Sequence, residues 1–372
     1  MTDTGPPTPW WEQAHAASFR SGPASPGLPL QRRALRDPTL DPTLQDPTGP
    51  GSALAGPTGR GSTRQGEARQ GPLGPGPARP ATPPAYQAPV VEGPPPGTGA
   101  LSLGLGRGSR ERELIRQVAA PLPGVRRVVV LSIKGGVGKT TTVAVTGSLL
   151  AGLRRDKVVA LDASSDWGTL ATRLSVVPRQ SVRELAANGR HAVSEHGVLA
   201  QLAAAPSGLL VVGSDPQTVI SGALSEEEYV QTLRLLEYVG NLILTDVGAG
   251  LQQPFLPAAL AGCDQLVVAS AATWDAAQSA GAALDWLAAR GFGPLVERSI
   301  VVMNNLYPAR RRRSSYIRDL RSDLSRRARV VHEIPFDPAL QPGGRILLRK
   351  LSASVRQAYL EVAAEIVAGL AR

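Results

Sequence analysis

The sequence is poor in cysteine, in aromatic residues and in long apolar runs. Its 372 residues hold 1 cysteine, Cys263, so no disulfide can close within the chain and a reducing compartment is expected. Cys263 stands just before an apolar run and reads as a small buried residue. No apolar stretch approaches the ~20 residues that a membrane-spanning helix requires. The opening residues are polar and proline-rich, with no signal-peptide core. The expected location is therefore the cytoplasm, with peripheral attachment at the inner face of the membrane as the alternative. Histidine is scarce too, and His191 and His196 lie in a polar stretch without Cys or acidic partners at ligand spacing.

Large apolar residues are thinnest at the start. Of the 33 prolines, 21 precede residue 100, and Gly, Ala, Ser and Thr fill much of the rest. Residues 1–108 therefore read as a disordered arm, because so few apolar groups cannot offset the entropy of ordering. Asp37-Pro-Thr, Asp41-Pro-Thr and Asp46-Pro-Thr form a turn-prone repeat. One island differs: Pro9-Trp-Trp-Glu-Gln-Ala-His-Ala-Ala-Ser-Phe19. Its adjacent tryptophans suit a docking motif that folds on a partner, although a chance aromatic pair in a tail competes with that reading. Residues 109–372 are long enough for one sizeable α/β domain.

That domain turns on Leu131-Ser-Ile-Lys-Gly-Gly-Val-Gly-Lys-Thr-Thr-Thr142. An apolar strand over 126–133 leads in and a helix over 140–153 leads out, the context of a phosphate-binding loop. Gly135, Gly136 and Gly138 let the backbone curl so that several N–H groups, including those at Val137 and Thr141, face one anion. The helix N-terminus adds partial positive charge. Lys139 can reach terminal phosphates, and the Thr140 hydroxyl can hold Mg2+.

Downstream, the pattern alternates strand and helix, which predicts a mostly parallel sheet. Strands are expected over 157–162, 209–212, 241–246, 264–270 and 298–303. Helices are expected over 109–118 with Ser109 as N-cap, 181–188, 225–236, 274–290 and 352–370. Two of the strands end in aspartates, Asp162 and Asp246. In open parallel sheets the strand C-termini line the ligand crevice, so both carboxylates fall where Mg2+ and an attacking water would lie. For Asp162, a helix-capping role after a strand is the competing reading. The segment ending at Gly250 is small enough for backbone to approach a γ-phosphate. In the last helix Val355, Tyr359, Val362, Ile366 and Leu370 recur at helical spacing. Packing against the sheet explains them better than membrane contact, since the polar face carries few basic residues.

The strict pattern GxxxxGK[ST] fails at Ile133. What stands instead, Lys134-Gly-Gly-Val-Gly-Lys-Thr-Thr141, resembles the deviant Walker A loop of the MinD/ParA family of P-loop ATPases. The resemblance runs from about residue 124 to the C-terminus and implies a three-layer α/β sandwich that binds ATP and Mg2+. It implies that Lys134 crosses a homodimer interface formed on ATP binding and touches the partner's phosphates. Asp246 would be the Walker B aspartate, holding Mg2+ through water with Thr140 and Asp162. Asn304 would contact the adenine edge, and Ile334-Pro-Phe-Asp337, with Pro335 and Asp337, would cover the base; a polar turn is the alternative for each. The switch segment departs from the family: Ser164 stands where the second aspartate belongs, and Asp166, two residues on, is its candidate substitute. That change bears on hydrolysis and not on binding. Within the family the chain is most similar to the MinD-like ATPases of actinobacterial type VII (ESX) secretion loci. They share a Pro/Ala-rich arm and the segment Asp162-Ala-Ser-Ser-Asp-Trp-Gly-Thr-Leu170.

The formal net charge is +10, which suits an acidic partner. Nine arginines, Arg310, Arg311, Arg312, Arg313, Arg318, Arg321, Arg326, Arg327 and Arg329, face only Asp319 and Asp323 in one stretch. Non-specific DNA binding and a solvated face are both open readings of it. The expectation is an ATPase acting as a dimerisation switch, accessory to type VII secretion, with its arm on a protein partner. A partitioning ATPase on DNA and a non-hydrolysing scaffold are the alternatives.

Overall fold

The computed structural model describes residues 105, 108–164, 168–189, 194–215, 222–308 and 313–371. Trp10, Trp11, Asp166, His191, Arg310, Arg311 and Arg312 lie outside the described residues.

The fold begins with α1 (Ser109–Val118) and β1 (Arg126–Ser132). Ser109 is the first residue of the α1 helix and not its cap; Gly108 takes the cap position, its N–H donating to Glu111 at 3.4 Å. Helix α2 (Lys139–Leu153) follows the glycine loop, and β2 (Val158–Ala163) follows α2. Next come α3 (Leu170–Leu174), α4 (Val182–Asn188), α5 (Glu195–Leu199) and the short strands β3 (Ala203–Ala204) and β4 (Leu210–Val212). Helix α6 (Glu226–Leu236) carries three glutamates in its first turn, as the helix dipole favours. Ser181 and Ser225 each close a capping box, with Glu184 and Glu228 respectively.

The second half comprises β5 (Leu242–Ala249), α7 (Leu256–Ala261), β6 (Gln265–Ala271), α8 (Trp274–Leu287) and α9 (Gly293–Glu297). Then β7 (Ile300–Asn304), α10 (Arg313–Ser325), β8 (Val330–Ile334) and α11 (Ala353–Leu370) complete it. The helix expected over 274–290 stops at Leu287 and loosens into a wide turn over Ala288–Phe292. Gly291, at φ 88°, is incompatible with a continuing helix.

The strands form one sheet in the order β3-β4-β2-β5-β1-β6-β7-β8, all parallel except β3. Helices cover both faces, so the central strands are apolar throughout and not alternating. Val129 and Leu131 enter one core with Leu236, Phe255 and Leu284. Val128 and Val130 enter the other with Leu149, Leu150 and Tyr359. Leu105 is buried in this second core, upstream of Ser109. Val355, Tyr359, Val362, Ile366 and Leu370 of α11 are all buried there, which leaves none of them to meet a membrane. Among the described residues, no helix is long and apolar enough to cross one. Burial pushes the Cys263 thiol up to about 12, so it packs as a small apolar group.

Candidate functional site

The topology brings the loop after β1 and the ends of β2, β5 and β7 to one edge of the sheet. In register, Asp162 of β2 sits beside Asp246 of β5, and Val130 of β1 lies on the other side of Asp246. A cleft of about 680 Å³ opens there. Gly135, Gly136, Gly138, Lys134, Lys139, Thr140 and Thr141 form one end of it. Pro335, Phe336 and Asp337, from the segment after β8, line it as well, and Asn304 lies against the loop itself. A cleft that joins a glycine-rich, basic loop to a segment carrying Pro335 and Phe336 suits a ligand that carries phosphates on an organic group.

Gly138 is the tightest point of the loop. It holds φ 91°, and a β-carbon on it would come within 2.8 Å of Asn304 Nδ2. Val137 does not line the cleft: its side chain is buried with Ala269, Ala271 and Ala276 and anchors the loop from below. Its carbonyl accepts a hydrogen bond from Asn304 Nδ2 at 2.9 Å.

The two lysines of the loop have different surroundings. Lys139 Nζ donates to Asp246 Oδ1 at 2.5 Å, and the side chains are only 9% and 0% exposed. Lys134 pairs with Asp275 in the first turn of α8, with side chains 43% and 61% exposed. Hydrogen bonds from Lys134 and then Thr273 hold the Asp275 carboxyl down at about 2.

Asp246 Oδ2 is buried with no hydrogen-bond partner among the described residues. A dry carboxylate oxygen is costly unless something binds it, so this atom fits a cation or a water held by one. Asp162 takes the helix-capping place that competed with the metal-site reading. Its carboxylate accepts the N–H groups of Ser164 and Leu170, both at 3.2 Å, and so caps the start of α3. It lines a smaller adjoining pocket of about 280 Å³ rather than the main cleft. Burial, then the charge of Asp246, pushes the Asp162 carboxyl up to about 6. Gly168 makes this packing possible, since a β-carbon there would lie 2.3 Å from both Asp162 Oδ2 and Ser214 Oγ.

Other predicted residues are already engaged by the protein itself. Gly250 donates its N–H to the Ser132 carbonyl at 2.9 Å, while Gly248 and Ala249 line the cleft. The polar groups of Asn304 are held by Val137 and by Tyr359, whose hydroxyl donates to Asn304 Oδ1 at 3.1 Å. Burial raises the Tyr359 phenol, so it stays protonated as that donor requires. For Asp337, burial works upward but the N–H groups of Ser352 and Ala339 outweigh it and hold the carboxyl low. Asp337 thus ties its loop to the start of α11. Residues that the sequence did not single out include Arg173, which lines the cleft, and Asp275, the partner of Lys134. Asp275 carried only the signal of an acid in a first helical turn, and Arg173 that of a polar residue between Leu170 and Leu174.

The arginine stretch is partly neutralised. Arg326 pairs with Asp323, Arg327 with Asp285 and Asp323, and Arg329 with Glu365.

Sheet, loop and cleft together define a nucleotide-binding α/β domain of the phosphate-loop type. Residues 128–343, more than half of the chain, match the family CbiA, the CobQ/CobB/MinD/ParA nucleotide binding domain, and the chain belongs to that family. Its members of the MinD/ParA type are P-loop ATPases. The chain is 30% identical over 268 residues to the ESX-1 secretion-associated protein EspI of Mycobacterium tuberculosis. That match covers 71% of this chain and 40% of EspI, so the chain spans well under half the length of the curated relatives it matches. Among solved structures, a chain of the MinC:MinD cell division protein complex of Aquifex aeolicus superposes with a TM-score of 0.51 at 21% identity, covering 66% of this chain and 96% of that one. A ParA family ATPase from Chlorobium tepidum gives 0.52 at 16%, covering 64% and 98%. At such identities the likeness establishes the shared fold.

Proposed function

We propose that the protein is an ATP-operated dimerisation switch that hydrolyses slowly and serves a type VII secretion system. The observation that carries the reading is the contrast between the loop's two lysines. Lys139 is fixed at the base of the cleft, where it meets the terminal phosphates of a bound nucleotide. Lys134 stands at the exposed mouth, held by a partner it can exchange for a phosphate of a second subunit. Two triphosphates brought together repel, and a lysine from each side offsets that repulsion.

Main-chain N–H groups of the loop and the N-terminus of α2 bind and orient the phosphates. Thr140 and Asp246 would hold Mg2+, with Asp162 able to join them once its carboxylate leaves the α3 cap. When bound, Mg2+ neutralises charge on the β- and γ-phosphates. Only on leaving the α3 cap would Asp162 serve as a proton acceptor, a role that a carboxyl held at about 6 suits, being ionised at neutral pH and still basic. The secretion role rests on the similarity to EspI, whose name records an ESX-1 association. The tryptophan arm is the segment we assign to a protein partner. The partitioning alternative draws on the arginine stretch, three of whose members are already paired with carboxylates.

The test measures molecular size and phosphate release on wild type, Lys139→Ala and Lys134→Ala, with ADP, ATP and a non-hydrolysable analogue. The switch requires a dimer with triphosphate only, and slow turnover that both substitutions abolish. A monomer that binds ATP without dimerising or turning over would make it a nucleotide-holding scaffold, the reading that Ser164 favours. DNA affinity that falls steeply with salt and vanishes on replacing Arg310, Arg311, Arg312 and Arg313 would move the client to the chromosome.

A further inference from the structure

Three basic side chains line the cleft: Lys134, Lys139 and Arg173. Both lysines have a carboxylate partner. Among the described residues Arg173 makes no side-chain hydrogen bond or ion pair, and its buried Nε has no hydrogen-bond partner. Burial lowers its affinity for its proton, against the opposing pull of Asp246 and Tyr359. A guanidinium held in this way is costly unless an anion meets it.

Its position is fixed by the fold. Leu170 and Leu174, one turn apart on α3, are buried in the core and set the helix face. The Arg173 N–H donates to the Thr169 carbonyl at 2.9 Å, and its carbonyl accepts from Ile346 at 2.8 Å, which pins the segment after Asp337 over α3. A β-carbon on Gly343 would lie 3.6 Å from Arg173 Nη2, so the guanidinium reaches up beneath that segment. Arg173 therefore stands between the two ends of the cleft, with the phosphate loop on one side and the 335–343 segment on the other. A nucleotide whose terminal phosphates lie at Lys139 and whose base lies toward Pro335 passes its α-phosphate through this gap.

We propose that Arg173 is a nucleotide-binding residue, its guanidinium donating to the α-phosphate of a nucleoside di- or triphosphate. The assignment rests on the nucleotide reading above and deepens it. Because the α-phosphate is common to both nucleotides, Arg173 sets their affinity without distinguishing them, while Lys134 answers to the triphosphate dimer. The guanidinium fork suits two phosphate oxygens at once, which an ammonium cannot match. Binding would also draw the 335–346 segment down on the ligand, since Arg173 holds that segment through its own carbonyl.

Calorimetric titration of the full chain with Mg-ADP and Mg-ATP tests this, on wild type, Arg173→Gln and Arg173→Lys, with thermal melts of each protein without nucleotide. Arg173→Gln should weaken ADP and ATP by the same factor, roughly 10- to 100-fold. Arg173→Lys should recover part of the loss. Neither substitution should lower the melting temperature without nucleotide, because the wild-type side chain has no partner to lose; a matched fall in stability would assign Arg173 to packing instead. Unchanged affinities in Arg173→Gln, or a loss confined to ATP, would overturn the α-phosphate contact while leaving the nucleotide site intact. Wild type that binds neither nucleotide would overturn both readings together.

Discussion

Lys139 and Lys134 stand in the same glycine loop, five positions apart, and each is paired with an aspartate from another part of the chain. One pair is nearly dry. The other is half in water. Coulomb attraction at the same separation is several times stronger in the dry site, and so is the cost of leaving one partner alone. The buried pair is therefore a fixture: neither charge can leave without its replacement arriving. The exposed pair is a resting position, because water and salt stabilise both ions when they part. The proposed switch assigns the two lysines accordingly, the fixed one to phosphates of its own subunit and the exposed one to a second subunit.

The largest effect should come from the dry pair. Lys139→Ala leaves Asp246 buried beside Asp162 without its ion-pair partner, and should cost about 3–5 kcal/mol in urea unfolding together with all measurable ATP binding. Adding Asp246→Asn removes the stranded charge, so the double variant should regain much of the stability and none of the binding. If the single variant unfolds like wild type, the pair is not the fixture described.

Next comes Asp162, whose carboxyl is lifted to about 6. Its unfolded value lies near ~3.9, so the folded state binds this proton more tightly. The resulting stability is fully present below pH ~4 and is lost as pH rises through 6, by ~3 kcal/mol in all. Unfolding of nucleotide-free wild type minus that of Asp162→Asn, followed from pH 4 to 7.5, should show that slope. A flat difference would remove Asp162 from the buried acidic pair.

These features were unequally legible in the sequence. The loop, both aspartates and the central strands were readable because each rests on local grammar: glycines at fixed offsets, apolar runs, an acid near the end of an apolar run; β5, however, does not stop at Asp246 but continues to Ala249. The strands expected over 241–246 and 264–270 agree with Leu242–Ala249 and Gln265–Ala271 to within three residues at any end. Contacts between distant segments were not readable. Nothing near Asp275 announces Lys134, which is 141 residues away. Asn304, expected at an adenine edge or in a polar turn, has its side chain spent on Val137 and Tyr359. The edge strands β3 and β8 are short or only partly apolar, so their pattern gave no strand signal. Asp162 combined both cases: a metal-site role and a helix-capping role were both readable at its position, and the choice between them depended on how the chain returns after Gly168.

The wet pair supplies the smaller effects. Lys134→Ala should leave the nucleotide affinity of the monomer and its melting temperature within error of wild type, while ATP no longer yields a dimer in size-exclusion runs. Loss of monomer affinity would mean that Lys134 serves its own subunit's phosphates and that the comparison fails. Asp275→Asn asks for the least and discriminates most finely. It removes the carboxylate that holds Lys134 at rest and leaves the lysine itself in place. Because the pair is exposed, its loss should not move the melting temperature. The freed lysine should then reach a partner's phosphate at lower protein concentration, a shift of roughly twofold to fivefold in the dimerisation midpoint with ATP. The shift should shrink as salt is raised, since screening weakens the resting pair in wild type as well. An opposite shift, toward weaker dimerisation, would place Asp275 in the dimer contact itself, with Lys134 exchanging nothing.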